Sequence, residues 1–153
     1  WKAREAGFEA RFIELAGAIN GGMPHHVTHR VAEALNAARK PLRGSKILVL
    51  GLAYKADIDD VRESPALDIM QTLTRDGAIV SYCDPHVASV RFQGRVLRSK
   101  PFTPGTLRGA DCVVIATAHK AFDFRLVAKH ARLIVDTRNA LKGRRRTRGV
   151  FKL

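Results

Sequence analysis

Acidic residues, cysteines, aromatic side chains and long apolar runs are all scarce in this sequence, and each shortage removes a class of explanation. The two cysteines, Cys83 and Cys112, fall inside apolar stretches that read as strands. A disulfide scaffold or thiolate metal site needs more thiols in closer register, so buried reduced thiols are expected. No apolar stretch approaches the about 20 residues of a membrane-spanning helix, and no charged-then-apolar leader opens the chain. A soluble, cytoplasmic protein with no membrane partner is the expectation. Aromatic residues make up 7% of the chain, and no stacking platform for unpaired bases is recognisable beside its basic tail. The 153 residues allow one ordinary domain and an appendage, not a multidomain enzyme.

The shortage of acid has the widest consequence. Fourteen acidic residues face 27 basic ones, for a net charge of +13, which asks for an anionic partner. Much of the excess sits in the tail "KGRRRTRGVFKL", residues 142–153, where Lys142, Arg144, Arg145, Arg146, Arg148 and Lys152 occur without one acid. Such a tail admits nucleic acid or another polyanion, and a stand-alone basic α/β module is the alternative reading of the chain. No helix-turn-helix, zinc ligand set or stacking surface accompanies it, so a solvated basic end is the simpler account.

Along the chain, Phe8, Phe12, Leu15, Ala16 and Ile19 recur at helical spacing, in a helix expected to stop or kink at Gly21 and Gly22. A second helix is then expected from Pro24, with Val27, Val31 and Leu35 on one face. These two helices form an appendage over 1–43, and their apolar stripes need cover from the next domain or from another copy of the chain. From residue 44 the pattern changes. "KILVL", "AIVSYC", "DCVVIATA" and "RLIVDT" read as strands covered on both faces, with a helix from Ser64–Pro65 to Gly77 and a short one near "FDFRLVAKHA". Residues 86–110 read as an irregular link with a helical turn near Thr106. The fold class is therefore α/β, a Rossmann-like open parallel sheet with flanking helices over 44–153.

In such sheets ligands sit beyond the carboxyl ends of the strands, which here release Tyr54, Lys55, Asp84, His119 and Arg138. Lys55 and Arg138 offer cations to one crevice, and free amides of the helix starting at Ser64 would add to a phosphate site. Spacing alone equally allows both cations to pair with Asp57, Asp60 or Asp136. His25, His26 and His29 cluster on a helical face without acidic or cysteine ligands beside them, so no metal site is expected there.

The stretch "GLAYKADIDDVRESPAL", residues 51–67, resembles the signature of the C-terminal domain of the UDP-glucose/GDP-mannose dehydrogenase family, matching it at Gly51, Tyr54, Lys55, Asp60, Arg62, Ser64 and Pro65. "YCDP", residues 82–85, and "IVDTRNAL", residues 134–141, resemble the family's later turns, and "ATAHKAF" with His119 is similar to a third, with a shaping role in the crevice. Residues 8–36 are similar to the helical region between its cofactor and substrate domains, leaning towards the branch acting on UDP-N-acetylhexosamines. The resemblance implies the substrate-binding part of an NAD-dependent oxidoreductase of polysaccharide precursor synthesis. Such an enzyme oxidises the C6 alcohol of UDP-N-acetylglucosamine, UDP-N-acetylmannosamine or UDP-glucose to the uronic acid. It implies UDP-sugar contacts by Tyr54, Lys55 and Arg138, with Asp60, Arg62 and Ser64 mainly shaping the loop, and a homodimer through the leading helices. The family's glycine fingerprint for NAD and its catalytic cysteine have no counterpart in these residues, and Cys83 and Cys112 lack the glycine context. No catalytic or cofactor-binding residue is expected in this chain, which should be inactive by itself.

Overall fold

Four short runs of apolar, mostly β-branched residues become neighbours in one sheet, three of them buried on both faces and Ile79–Cys83, expected to be covered likewise, partly exposed at the edge. The computed structural model describes residues 11–143 and 149–153. Phe8 and the tail residues Arg144, Arg145, Arg146 and Arg148 lie outside the described residues. The elements run α1 (Arg11–Ala37), β1 (Lys46–Leu50), α2 (Pro65–Arg75), β2 (Ile79–Cys83), β3 (Ser89–Phe92), β4 (Arg95–Arg98), α3 (Pro104–Gly109), β5 (Cys112–Ile115), α4 (Phe124–His130), β6 (Ile134–Asp136) and β7 (Val150–Lys152). Five strands form a parallel sheet in the order β2-β1-β5-β6-β7, while β3 and β4 make a separate antiparallel hairpin.

Alternation along each strand feeds two cores. Ile47 and Val49 of β1, with Cys112 and Val114 of β5, face α1 and α2, where Val31, Leu35, Met70 and Leu73 are buried. Leu48, Leu50, Val113 and Ile115 face the other way, against Leu107 of α3, Val127 of α4 and Phe122. Truncating one of these to alanine costs about 2 to 5 kcal/mol. Both cysteines are free and buried, and burial pushes Cys83 up to about 11 and Cys112 up to about 12, as inert thiols should be. Among the described residues no helix is long and apolar enough to cross a membrane.

Three expectations are corrected. The leading segment is one helix of 27 residues, not two, with Pro24 inside it. Val27, Val31, Ala34 and Leu35 anchor its second half in the core, and that packing overrides glycine penalties of about 1 kcal/mol each and the lost proline N–H. The supposed irregular link contains the β3–β4 hairpin, turned by Gln93 and Gly94, both at positive φ, before α3. The tail is not wholly a solvated end either, since β7 pairs with β6 from Val150 to Lys152.

Candidate functional site

The chain leaves β1 to form α2 and β2 on one side, then crosses to β5 and β6 on the other, so strand order reverses between β1 and β5. Their diverging exit loops open a crevice at that point. A cleft of about 760 Å³ lies there, walled by Tyr54 and Lys55 after β1, Ala116 and Thr117 after β5, and Thr137 and Arg138 after β6. Ser64 at the start of α2 and the stretch Ile19–Val27 of α1 close its other sides.

The β1 exit is shaped by two tight constraints. Gly51 has φ +81°, and a Cβ there would lie 2.3 Å from the Thr117 carbonyl oxygen, so only glycine lets the β1 and β5 exits touch. Thr117 Oγ1 then donates to the Ala53 carbonyl at 2.7 Å. The second constraint is Asp84, at the end of β2 and 4% exposed. Its Oδ2 accepts the Leu52 and Ala53 N–H groups at 2.6 and 3.1 Å, and its Oδ1 those of His86 and Val87 at 2.8 and 3.0 Å. Burial alone would push this carboxyl up, but the N–H groups of His86, Leu52 and Ala53, with His119 adding to them, hold it below its ordinary value.

Lys55 and Arg138 both line the cleft, and neither has a carboxylate partner among the described residues. The three acids that sequence spacing offered them are engaged elsewhere, while Glu63 and Asp68 line the same cleft without pairing to either cation. Asp57 takes the Lys120 N–H at 2.9 Å, which is the chief reason its carboxyl is held low, and its other oxygen faces the Lys120 ammonium. Asp60 meets Arg62 in a fork of 3.0 and 2.8 Å, and that guanidinium holds it at about 2. Asp136 is buried and takes the backbone N–H groups of Arg138, Ala140 and Leu141, folding the β6 exit around itself. The Arg138 Nε donates to the Ala116 carbonyl at 2.6 Å, so the side chain is held at the cleft wall. The Lys55 ammonium stands 5.6 Å from the centre of the Tyr54 ring, and Tyr54 is half-exposed.

Of the other residues singled out from the sequence, Ser64 lines the cleft as the buried cap of α2, while Asp60 and Arg62 do not line it. The α2 amides expected to be free are not. Pro65 has none, the Ala66 N–H goes to Ser64 Oγ, and the Leu67 N–H goes to the Ser64 carbonyl. Any anion in the cleft is therefore met by side-chain cations. His25, His26 and His29 are exposed on α1, with His29 beside Glu33 at 3.3 Å. Asp57, His86 and His119 come close enough to raise the question of a metal ion. Both ring nitrogens of His119 are committed, to the Asp57 N–H and to Asp84, and Lys120 already faces Asp57, so the donor set does not fit one.

The β1 exit does not fit a dinucleotide either: its single glycine is filled by Thr117, and 14 residues separate β1 from the next helix. Sequence reasoning missed the α1 wall, the threonines Thr117 and Thr137, and Leu153, which β7 brings to the cleft. The α1 wall was signalled only by the helical spacing of Ile19 and Val27.

Comparison with known proteins agrees with this architecture. Residues 48–143 match the model of the "UDP-glucose/GDP-mannose dehydrogenase family, UDP binding domain". A UDP-N-acetyl-D-mannosamine dehydrogenase from Methanococcus maripaludis is 33% identical over 80% of this chain and 27% of its own length. An NDP-N-acetyl-D-galactosaminuronic acid dehydrogenase from Ralstonia nicotianae is 34% identical over 89% of this chain and 31% of its own. The solved UDP-D-ManNAc dehydrogenase of Pyrococcus horikoshii superposes with a TM-score of 0.79 at 30% identity, covering 98% of this chain and 35% of that one. The chain thus spans about a third of the length of these relatives. With the matched segment holding the strand exits of the switch-point cleft and its two cations, the chain belongs to the UDP-glucose/GDP-mannose dehydrogenase family, residues 48–143 being its UDP-binding domain.

Proposed function

We propose that this chain is the substrate-binding part of an NAD-dependent nucleotide-sugar 6-dehydrogenase, with Tyr54, Lys55 and Arg138 contacting the UDP portion of a UDP-sugar. The observation that carries this reading is two cations lining one cleft with no carboxylate paired to either among the described residues. An anion entering there pairs with cations that no described carboxylate engages, and Arg138 is already held at the cleft wall by its bond to Ala116. Asp60, Arg62 and Ser64 act on the ligand through the loop and helix start that they hold. The substrates of the relatives favour a UDP-N-acetylhexosamine over UDP-glucose.

In the complete enzyme this chain's residues bind and orient the nucleotide half of the substrate while NAD, held by other residues, accepts the hydride from C6. Residues 1–43 contribute a segment of the central region and 44–153 the UDP-sugar domain. The exposed Phe12, Ile13, Leu15 and Ile19 of α1 supply a homodimer contact. A cytoplasmic setting suits an enzyme of polysaccharide precursor synthesis that depends on NAD.

Titration calorimetry with UDP at moderate salt tests the reading. Lys55→Ala and Arg138→Ala are each expected to weaken UDP binding about ten-fold, close to 1.4 kcal/mol, with the fold intact and no NAD reduction by the chain alone. Unchanged affinity in both variants overturns it.

A further inference from the structure

His119 is fully buried at the end of the β5 exit, yet both of its nitrogens reach backbone or carboxylate from other strand exits. Its Nδ1 accepts the Asp57 N–H at 2.9 Å, across 62 residues of sequence. An acceptor there places the ring proton on Nε2, which donates to Asp84 Oδ2 at 3.0 Å. That same oxygen takes the N–H groups of Leu52 and Ala53. One imidazole and one carboxylate thus grip both ends of the turn 52–57, whose middle residues are the exposed Tyr54 and Lys55. His86 lies 4.9 Å from the imidazole centre to centre, and Phe122 meets it edge-on at 5.6 Å, so the ring is held in plane and position.

We propose that His119 is a positioning residue for nucleotide binding: by accepting the Asp57 N–H it fixes the turn that presents Lys55 to the cleft. The proposal rests on the reading of Lys55 as a ligand contact. It assigns no proton transfer to His119, which is sealed beneath the turn. Its physical content is pre-organisation: a four-carbon ammonium side chain on a loose turn loses more freedom on binding than one on a turn fixed beforehand.

Two amide substitutions separate the two bonds. His119→Asn keeps an oxygen near the Nδ1 position for the Asp57 N–H, whereas His119→Gln keeps an N–H near the Nε2 position for Asp84. His119→Asn removes more buried volume than His119→Gln, so a merely structural role lowers thermal stability and UDP affinity at least as much in His119→Asn. The proposal expects His119→Gln to speed hydrogen exchange of the Asp57 amide at least ten-fold and weaken UDP about five-fold, with His119→Asn within two-fold of the parent on both measures. In a Lys55→Ala background, His119→Gln should cost less UDP affinity than in the parent, because only Tyr54 is then left on the turn to lose. Equal loss in the two variants, or an Asp57 amide that exchanges no faster in His119→Gln, overturns it. If Lys55→Ala leaves UDP affinity intact, the ligand reading fails, while the exchange measurement still decides whether His119 braces the turn. Nitrogen-15 spectra of the unmutated imidazole give an arm that does not depend on folding of any variant: a proton on Nδ1 rather than Nε2 overturns the proposal.

Discussion

The two ends of the parallel sheet are built from the same ingredients, a buried aspartate and nearby cations, and combine them in opposite ways. At the amino end, Asp111 takes the Lys46 N–H at 2.8 Å, the Lys40 ammonium at 2.6 Å and the Arg132 guanidinium at 3.9 Å. Charge is neutralised inside the molecule. At the carboxyl end, Asp84 and Asp136 spend their oxygens largely on backbone N–H groups, which shape the loops and leave Lys55 and Arg138 without a carboxylate partner among the described residues. A family of parallel strands thus acquires a finished end and a receptive end through the choice of hydrogen-bond donor, not through the number of charges.

The contrast is broken most severely at Asp84. Asp84→Ala leaves the buried N–H groups of Leu52, Ala53 and Val87, the part-buried one of His86, and His119 without their acceptor, and is expected to cost about 3 to 5 kcal/mol by urea unfolding. A loss below about 1 kcal/mol would show that the loops do not depend on this carboxylate. Asp111→Asn is expected to cost only about 1 kcal/mol, because the neutral amide still accepts the Lys46 N–H, and to leave UDP affinity unchanged. Burial alone would raise the Asp111 carboxyl, yet Lys40 and the Lys46 N–H outweigh it and hold it below its usual value. Its contribution is therefore present above pH of about 4 and lost as pH falls through the depressed folded value, so the stability gap between parent and Asp111→Asn should close in acid.

Smaller effects sharpen the comparison at the surface. The exposed Asp60 should titrate at about 2 by carbon-detected NMR, and Arg62→Ala should return it towards the ordinary 3.8, without loss of UDP binding beyond about two-fold. Replacing Arg144, Arg145 and Arg146 together by alanine is expected to change UDP affinity less than two-fold at moderate salt; a ten-fold loss would move the anion site to the tail.

The sheet was legible because its strands are short apolar runs that no other architecture buries as well, and α2 because Ser64 and Pro65 announce its start. Tyr54, Lys55 and Arg138 could be placed at strand exits by counting from those runs. Other features escaped for reasons of distance and length. The joining of two expected helices into α1 depends on Val27, Val31 and Leu35 finding the sheet. β7 has three residues, too few for a pattern. The satisfaction of the α2 amides and the partners of Asp84 and His119 join residues two to 62 positions apart by geometry that spacing does not encode.

α1 is a rod about 40 Å long at 1.5 Å per residue. One half is clamped into the core and the other is exposed, and the stretch between them, with Gly21, Gly22 and Pro24, forms part of the cleft wall. A lever has its fulcrum where leverage is least and stiffness matters most. Here the fulcrum combines two residues lacking side-chain bulk with one lacking an N–H. A torque applied at Phe12 or Ile13 therefore meets its weakest point beside the cleft, where a backbone short of side-chain bulk and one hydrogen bond yields first.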